Sequence, residues 1–436
     1  MVHFHKTTRL SQRSSTATSR VAQNAVKDRL LNGNRVFMFA HVRILVSILS
    51  VLCALCGQSL AQEWKTVADG VEYAEVRREF SGKPVNINLL RLDLKKVRLD
   101  VHHAMDAAIG TEKTSSIATR HKAFAAINAG FFRLDTSIWA GDAVGTLMTD
   151  KKLLSESKNG RIAIAISNLP DKTDVTFAHL EYGLMVVDNK SGGIELHGIN
   201  RQRLKNEVLV YTPEFGRSTL TDPTGVEIVV LNGRVKDILR GGSSKIPTNG
   251  FVISADGKEA EALYRQWRLG SRVQLNLIQP QSMLDDENEI DEKRKRDERL
   301  SKIDPDLVAR IEDITNGVPQ LIKNSKIDIT WEQEKSSKAF VETRHPRTAV
   351  AKLKDGKFLM LTADGRTEQS AGLDLYDLAA YFLELGATDA MNLDGGGSTT
   401  MFLDGKVVNK PSDPTGERKV GDAILVTLRK PVKGKK

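Results

Sequence analysis

Cysteine is nearly absent from this chain of 436 residues, which contains only Cys53 and Cys56. Both lie in an apolar segment near the N-terminus, so the chain from residue 62 onward has no cysteine at all. That absence excludes a cysteine nucleophile, a thiolate metal site and disulfide bonds in the mature chain.

The motifs of several familiar enzyme classes are missing as well. The sequence has no Gly-x-Ser-x-Gly elbow, no His-Glu-x-x-His pair and no Walker loop. The three glycines at 395–397 are not a dinucleotide fingerprint, because the segment after them is polar and β-like. The nine histidines are scattered, and His102, His103 and His345 do not have the spacing of metal ligands.

The mature chain also lacks an excess of charge of one sign. The sequence has 64 basic and 55 acidic residues, but eight basic residues and one acidic residue lie in 1–61, which leaves 56 against 54. Because a nearly neutral chain gives no electrostatic reason to bind nucleic acid, we predict no nucleic-acid partner.

The N-terminal region has the pattern of an export signal. An apolar run from Ile44 to Cys56 follows Arg43 and is about as long as a signal-peptide core. The sequence Ser-Leu-Ala at 59–61 then fits a small-x-small cleavage site. We predict a leader and signal peptide over 1–61, a secreted or periplasmic protein, and no stable membrane span after cleavage.

A retained membrane anchor is the alternative for this region. As a separate point, Met38 would be a conventional translation start. If translation starts there, residues 1–37 are an over-long gene prediction or an untranslated leader. Residues 62–436 are predicted to form one domain, whose oligomeric state the sequence leaves open.

Strand patterns dominate the rest of the chain. Alternating or short apolar runs predict strands at 85–90, 97–101, 123–127, 161–167, 226–234, 273–279, 348–353, 358–362 and 423–428. One amphipathic helix is clear, because Leu375, Leu378 and Phe382 share a face and Gly386 ends the pattern. A short helix is predicted at 115–122. The predicted class is therefore α+β, a strand-rich single catalytic domain with a charged insertion at about 283–313.

The stretch MNLDGGGSTTMFLDG at 391–405 is the leading candidate for a site. Glycine permits sharp turns and brings backbone N–H groups close to an anion, and three hydroxyl side chains follow the glycines. A glycine-rich hairpin capped by Asp394 is the alternative. We predict a site for a sugar or a phosphate formed by Asn392, Asp394, Gly395, Gly396, Gly397, Ser398 and Thr399.

Four further polar clusters stand at the ends of predicted strands, where loops can converge. The two arginines of RHPRT suit phosphate or carboxylate, although a surface ion pair explains them equally well. The clusters NAG, ADGR and PSDPTGER are typical of turns and connectors when each is taken alone. The candidate residues in the four clusters are Asn128, Gly130, Arg344, Arg347, Asp364, Arg366, Asp413 and Arg418.

Together these motifs resemble the phosphodiester glycosidase domain family. The resemblance extends in order over residues 85–428, apart from the charged insertion, which departs from the family pattern. It is carried by NAGFF (128–132), TNGVPQLI (315–322), RHPRTAVA (344–351), TADGR (362–366), GLDLYDLAAYFLELGATDAMNLDGGGSTTMF (372–402) and PSDPTGER (411–418). It implies hydrolysis of a glycosyl-1-phosphodiester, which releases a sugar and a phosphomonoester.

This interpretation assigns expected roles to the candidates. Asp394 is the expected nucleophile or base with Asp364 as its partner, and Arg344, Arg347 and Arg366 are the expected phosphate clamp. The remaining candidates are expected to bind sugar hydroxyls or phosphate oxygens. No cofactor is expected, but a divalent cation stays open, as do two alternatives: a metal-assisted phosphodiesterase and a non-catalytic module that binds glycan phosphate.

Overall fold

A computed structural model describes residues 62–156, 160–188, 192–278 and 305–430. The predicted leader and most of the charged insertion therefore lie outside the described residues. Within the described ranges, no helix is long and apolar enough to cross a membrane.

An antiparallel sheet of eight strands is the framework on which the candidate site is built. Its strands, in spatial order, are β1 (Lys65–Ala68), β2 (Val71–Phe80), β3 (Lys83–Leu92), β23 (Phe358–Ala363), β22 (Arg347–Leu353), β24 (Ala387–Asn392), β20 (Gln320–Lys323) and β21 (Lys326–Ile327).

The central strands of this sheet are buried on both faces. In β3, Val85, Ile87 and Leu89 point to one face, whereas Leu90 and Leu92 point to the other. The first face is covered by helix α5 (Leu375–Glu384). This helix begins where the Asp374 side chain accepts the Asp377 N–H at 2.8 Å, and it ends before Gly386, which has a φ of +85°.

A five-stranded sheet packs on the other face. Its strands, in spatial order, are β26 (Lys406–Val407), β25 (Met401–Leu403), β6 (Ala125–Asn128), β28 (Asp422–Leu428) and β4 (Val97–His103). Leu99, Ile127 and Ile424 of this sheet share one core with Leu90 and Met360 of the eight-stranded sheet. Helix α1 (Thr114–Arg120) covers its outer face through Ile117 and Ala118.

Four further sheets and three more helices complete the described part. The first contains, in spatial order, β10 (Thr173–His179), β9 (Ile162–Asn168), β19 (Asp313–Asn316), β7 (Leu147–Thr149) and β8 (Lys152–Ser155), and the second contains β12 (Gly192–Leu196), β11 (Gly183–Asp188) and β18 (Val273–Ile278). The third contains β13 (Gly198–Ile199), β14 (Val208–Tyr211), β17 (Gly250–Ala255), β15 (Val226–Leu231) and β16 (Arg234–Arg240). The fourth pairs β5 (Glu112–Lys113) with β27 (Lys419–Val420). The helices are α2 (Gly257–Gln266), α3 (Pro305–Arg310) and α4 (Lys338–Glu342), and 3-10 turns lie at Ala104–Asp106 and Gly396–Ser398.

The predicted α+β class is confirmed, because strands greatly outnumber helices among the described residues. The pattern missed helix α2, which is as long as α5. Only Ala260 and Leu263 of α2 are buried, so its apolar face is too narrow to stand out in the sequence. Several strands between residues 173 and 255 were missed as well.

Candidate active site

Asp394 lies where the chain passes from one packed sheet to the other. Strand β24 ends at Asn392 and β25 begins at Met401, and the glycine-rich stretch between them (393–400, the glycine loop) connects the two sheets. The loop is tied to the end of β6, since Asp394 N donates to Ala129 O at 2.9 Å and Asn128 Nδ2 donates to Asp394 O at 2.7 Å.

The side chain of Asn128 holds this crossing together rather than facing a ligand. It is fully buried, and its Oδ1 accepts hydrogen bonds from Thr348 Oγ1 at 2.7 Å and from Thr400 N at 3.0 Å. Asn392 is also fully buried and donates to the Val318 and Leu393 carbonyls. Both amides, predicted to bind substrate, therefore position the glycine loop.

The Asp394 carboxyl group is partly exposed and unusually basic. Burial, with a smaller contribution from Asp422, raises its pKa to about 7. The Ser398 hydroxyl, the Gly395 N–H at 2.9 Å from Oδ1 and the Arg418 charge act in the opposite direction. A carboxyl group with this pKa exchanges a proton readily at neutral pH, which suits it to general acid or base work.

Asp422 is a second carboxyl group of the site, and the sequence analysis missed it. It is buried at the start of β28, where its Oδ1 accepts the Gly130 N–H at 2.8 Å and its Oδ2 accepts Thr315 Oγ1 at 2.6 Å. Burial raises its pKa as well. An acid at the first position of an otherwise apolar strand was the available signal. Gly130 serves this contact, because a Cβ there would lie 2.9 Å from Thr315 Oγ1.

Two arginines flank the glycines directly. A Cβ on Gly396 would lie 2.9 Å from Arg366 Nη2, and a Cβ on Gly397 would lie 2.5 Å from Arg418 Cζ. Arg418 Nε also donates to Asp413 Oδ2 at 2.7 Å, whereas Arg366 is exposed and pairs with no carboxylate in the described ranges. The glycines are thus needed because only a residue without a side chain lets both guanidinium groups approach.

The backbone N–H groups of the loop are less open to an anion than the sequence suggested. Gly395 N donates to Asp394 Oδ1 and Gly396 N donates to Pro346 O at 2.8 Å. Three buried side-chain atoms nearby have no hydrogen-bond partner among the described residues: Asn392 Oδ1, Thr399 Oγ1 and Thr400 Oγ1. Ordered water or a ligand is the usual partner of such groups.

The arginines of RHPRT have their hydrogen-bond partners outside this cluster. Arg347 is 1% exposed, and its guanidinium group donates to the carbonyls of Leu373, Phe340 and Thr343 at 2.8 to 2.9 Å. Arg344 Nη1 donates to Asp377 Oδ2 at 2.7 Å, beside helix α5. Of the predicted clamp, Arg347 is thus fully engaged by carbonyl groups, and Arg344 is paired with Asp377, although its buried Nε and Nη2 have no hydrogen-bond partner among the described residues. Arg366 and Arg418 are the arginines that lie against the glycine loop.

Asp364 lies in the wall of a neighbouring cavity of about 300 Å³. Its Oδ1 accepts the Lys410 N–H at 3.0 Å and the Asn409 amide at 3.3 Å, and burial raises its pKa. The cavity adjoins the glycine loop, because Ser412 lines the cavity and donates through Oγ to Gly396 O at 3.2 Å.

The side chains of the candidate site give little support for a metal ion bound there. Among the described residues, one group could hold a cation: His102, Asp106 and His121, whose ligand atoms lie within 4.8 Å of one another. Arg120 already donates to the Asp106 carboxylate and lies 2.9 Å from His121 Nε2, so a cationic group occupies that cluster. It contains no predicted site residue.

Comparisons with known proteins bear on the same segment of the chain. Residues 224–427, which include the glycine loop and both flanking arginines, match the family model described as phosphodiester glycosidase. The family predicted from the motifs is thereby confirmed.

Two curated relatives match shorter segments. SPbeta prophage-derived uncharacterized protein YomE of Bacillus subtilis (strain 168) is 38% identical over 89 residues, or 20% of this chain and 14% of that protein. N-acetylglucosamine-1-phosphodiester alpha-N-acetylglucosaminidase of Mus musculus is 38% identical over 110 residues, or 23% of this chain and 21% of that protein. The match thus spans about a fifth or less of these relatives.

A solved structure described as a hypothetical protein from Synechocystis has the same fold. It superposes with a TM-score of 0.68 at 22% identity, and the match covers 85% of this chain and 64% of that chain. At this identity the likeness concerns the fold alone.

Proposed function

Residues 224–427 of this chain belong to the phosphodiester glycosidase family, and from that premise we propose that the protein hydrolyses glycosyl-1-phosphodiesters. In the proposed reaction, water attacks C1 of the sugar and the bond between C1 and the phosphate oxygen breaks. The electron pair of that bond leaves with the oxygen, so the products are a free sugar and a phosphomonoester.

The observation that carries the proposal is the pairing of Asp394 with two guanidinium groups across the glycine loop. With a pKa of about 7, Asp394 is partly ionised at neutral pH and can accept the proton of the attacking water. Arg366 and Arg418 flank Gly396 and Gly397 and supply positive charge where the departing phosphate gains negative charge. A phosphate ester leaves readily, so this step needs little help from an acid.

Export is the second part of the proposal. The apolar run before residue 57 and the Ser-Leu-Ala sequence at 59–61 support a secreted or periplasmic enzyme that acts on envelope or extracellular glycans. N-terminal sequencing of the exported protein should begin close to Gln62. Recovery of the full-length chain only in the membrane fraction would contradict it.

The chemical test is hydrolysis of a panel of sugar-1-phosphodiesters in water enriched in ¹⁸O. We expect the label on the C1 hydroxyl of the sugar and activity that survives a chelator, because Arg366 and Arg418 can supply the positive charge that the departing phosphate needs. Label in the phosphate would point to attack at phosphorus, for which paired metal ions are the usual help.

Substitution of Asp394 separates an enzyme from a binding module. Asp394→Asn should abolish turnover without weakening ligand binding or lowering thermal stability. Asp404→Asn is the matched control, since Asp404 is exposed in the turn after β25. A wild-type protein that binds the panel but hydrolyses none of it would favour the binding module.

A further inference from the structure

The cavity beside the glycine loop has a charged wall, part of which comes from residues outside the family match. Arg77 comes from β2, far before residue 224, and lies opposite Asn86 of β3 in the sheet register. Lys410 comes from the loop after β26. Both cations line the cavity together with Asn86 and Asp364.

Neither cation forms a direct ion pair with another described residue, although the Lys410 charge acts on Asp364 and lowers the pKa of that carboxyl group, against the larger effect of burial. Arg77 and Lys410 are exposed, and neither side chain forms an ion pair or a hydrogen bond with another described residue. The acids nearby are Asp364, whose Oδ1 is engaged by the 409–410 segment, and Glu75, which lies on the same face of β2 two residues before Arg77. Cations without a direct ion-pair partner around a concave site favour an anionic ligand.

The cavity is separate from the place proposed for the scissile phosphate but adjoins it. Gly365, in the cavity wall, lies against Pro346, whose carbonyl accepts the Gly396 N–H. Ser412, also in the wall, bonds to the Gly396 carbonyl. A group attached to the phosphate at the glycine loop can therefore extend into the cavity, whose volume of about 300 Å³ accommodates a small substituent.

We infer that this cavity binds a second anionic group on the leaving part of the substrate, and that Arg77 and Lys410 select for it. The inference rests on the proposed function and narrows the substrate to diesters whose alcohol carries a further phosphate or carboxylate. Arg366 and Arg418 hold the phosphate that is cleaved from the sugar, and the cavity binds the substituent attached to that phosphate.

The test compares three diesters of one hexose 1-phosphate with the full-length protein: the ethyl, the 2-carboxyethyl and the 2-phosphoethyl ester. Wild type should prefer the anionic esters over the ethyl ester by about tenfold in kcat/KM, and the two anionic esters distinguish a carboxylate from a phosphate. Arg77→Gln and Lys410→Gln should each reduce this preference by about three- to tenfold. High salt should reduce it too.

Arg78→Gln is the matched control, because it removes the same charge from the opposite face of β2, where Arg78 pairs with Glu384. It should leave the preference unchanged. A wild-type preference near one, or an unchanged preference in both cavity variants, would overturn the inference while the proposed function stands.

If no diester is hydrolysed, the proposed function fails and the cavity is tested by calorimetry with 2-phosphoethanol. Binding that is lost in Arg77→Gln and Lys410→Gln but kept in Arg78→Gln would support an anion site. Absence of binding to wild type would overturn it.

Discussion

Replacing Gly397 by alanine should move Arg418 away from the site without unfolding the chain. A Cβ at this position would lie 2.5 Å from Arg418 Cζ and 2.9 Å from Arg418 Nε, far inside contact distance. The guanidinium group must therefore shift, and its 2.7 Å hydrogen bond to Asp413 is lost or redirected. Gly397 does not have a positive φ, so alanine introduces no backbone strain there.

The expected cost in stability is small. The Arg418 side chain is 28% exposed and can rotate towards solvent, and an ion pair as accessible as this one contributes about 0–1 kcal/mol. Replacing glycine by alanine at a compatible φ also stabilises by about 0.4–1 kcal/mol through the unfolded chain. The two effects nearly cancel, so the free energy of unfolding should change by less than about 1 kcal/mol.

The expected cost in activity is much larger. A hydrogen bond to a charged group contributes about 1.5–3 kcal/mol, which corresponds to a fall of about 10- to 100-fold in kcat/KM if Arg418 holds the phosphate. Arg418→Gln alone should show the same loss. The double variant should be no worse than Arg418→Gln, because both changes remove one interaction.

Kinetics and urea unfolding of Gly397→Ala, Arg418→Gln and the double variant test this steric argument. Gly405→Ala is the control: Gly405 has a φ of +85° and nothing within 4 Å of its added Cβ, so it should lose stability but keep kcat/KM. Full activity of folded Gly397→Ala, or losses that multiply in the double variant, would refute the steric argument.

Three further predictions concern ionisation and the buried arginine. Native Asp394 keeps its proton up to about pH 7, whereas the unfolded chain releases it near pH 3.8. The free energy of unfolding of the wild type should therefore fall as the pH rises between these values. Relative to wild type, the free energy of unfolding of Asp394→Asn should rise by up to about 4 kcal/mol across the same range. The kcat/KM should rise through about pH 7, and Asp422→Asn should shift that limb to lower pH; an unmoved limb would contradict the coupling. Arg347→Lys should lose about 3 kcal/mol of stability, because lysine cannot serve three carbonyls, whereas exposed Arg366→Lys should lose activity at unchanged stability in urea unfolding. The reverse pattern would restore Arg347 to the phosphate site.

The features predicted well from sequence are those that depend on neighbours along the chain. The alternation in β3 and the face shared by Leu375 and Phe382 indicate burial directly. Consecutive glycines indicate that another group lies close to the backbone, whichever group it is. The two arginines of RHPRT could not be judged in the same way, because the carbonyls that bind Arg347 come from α4 and from Leu373, which are brought there only by the fold. Asp422 escaped notice for the same reason: its partner Gly130 lies 292 residues away in the sequence.

Glycine-rich loops are usually mobile, yet the loop that carries Asp394 has little freedom to move. Asn128 uses both polar atoms of its side chain to join three elements: it donates to the Asp394 carbonyl, accepts from Thr348 of β22 and accepts from Thr400 before β25. Since β22 belongs to the eight-stranded sheet and Asn128 itself to the five-stranded sheet, the carboxyl group is located by the packing of the two sheets. The position of this carboxyl group is therefore set by the core. The conformational entropy of the glycines is lost once, on folding, rather than each time a ligand binds.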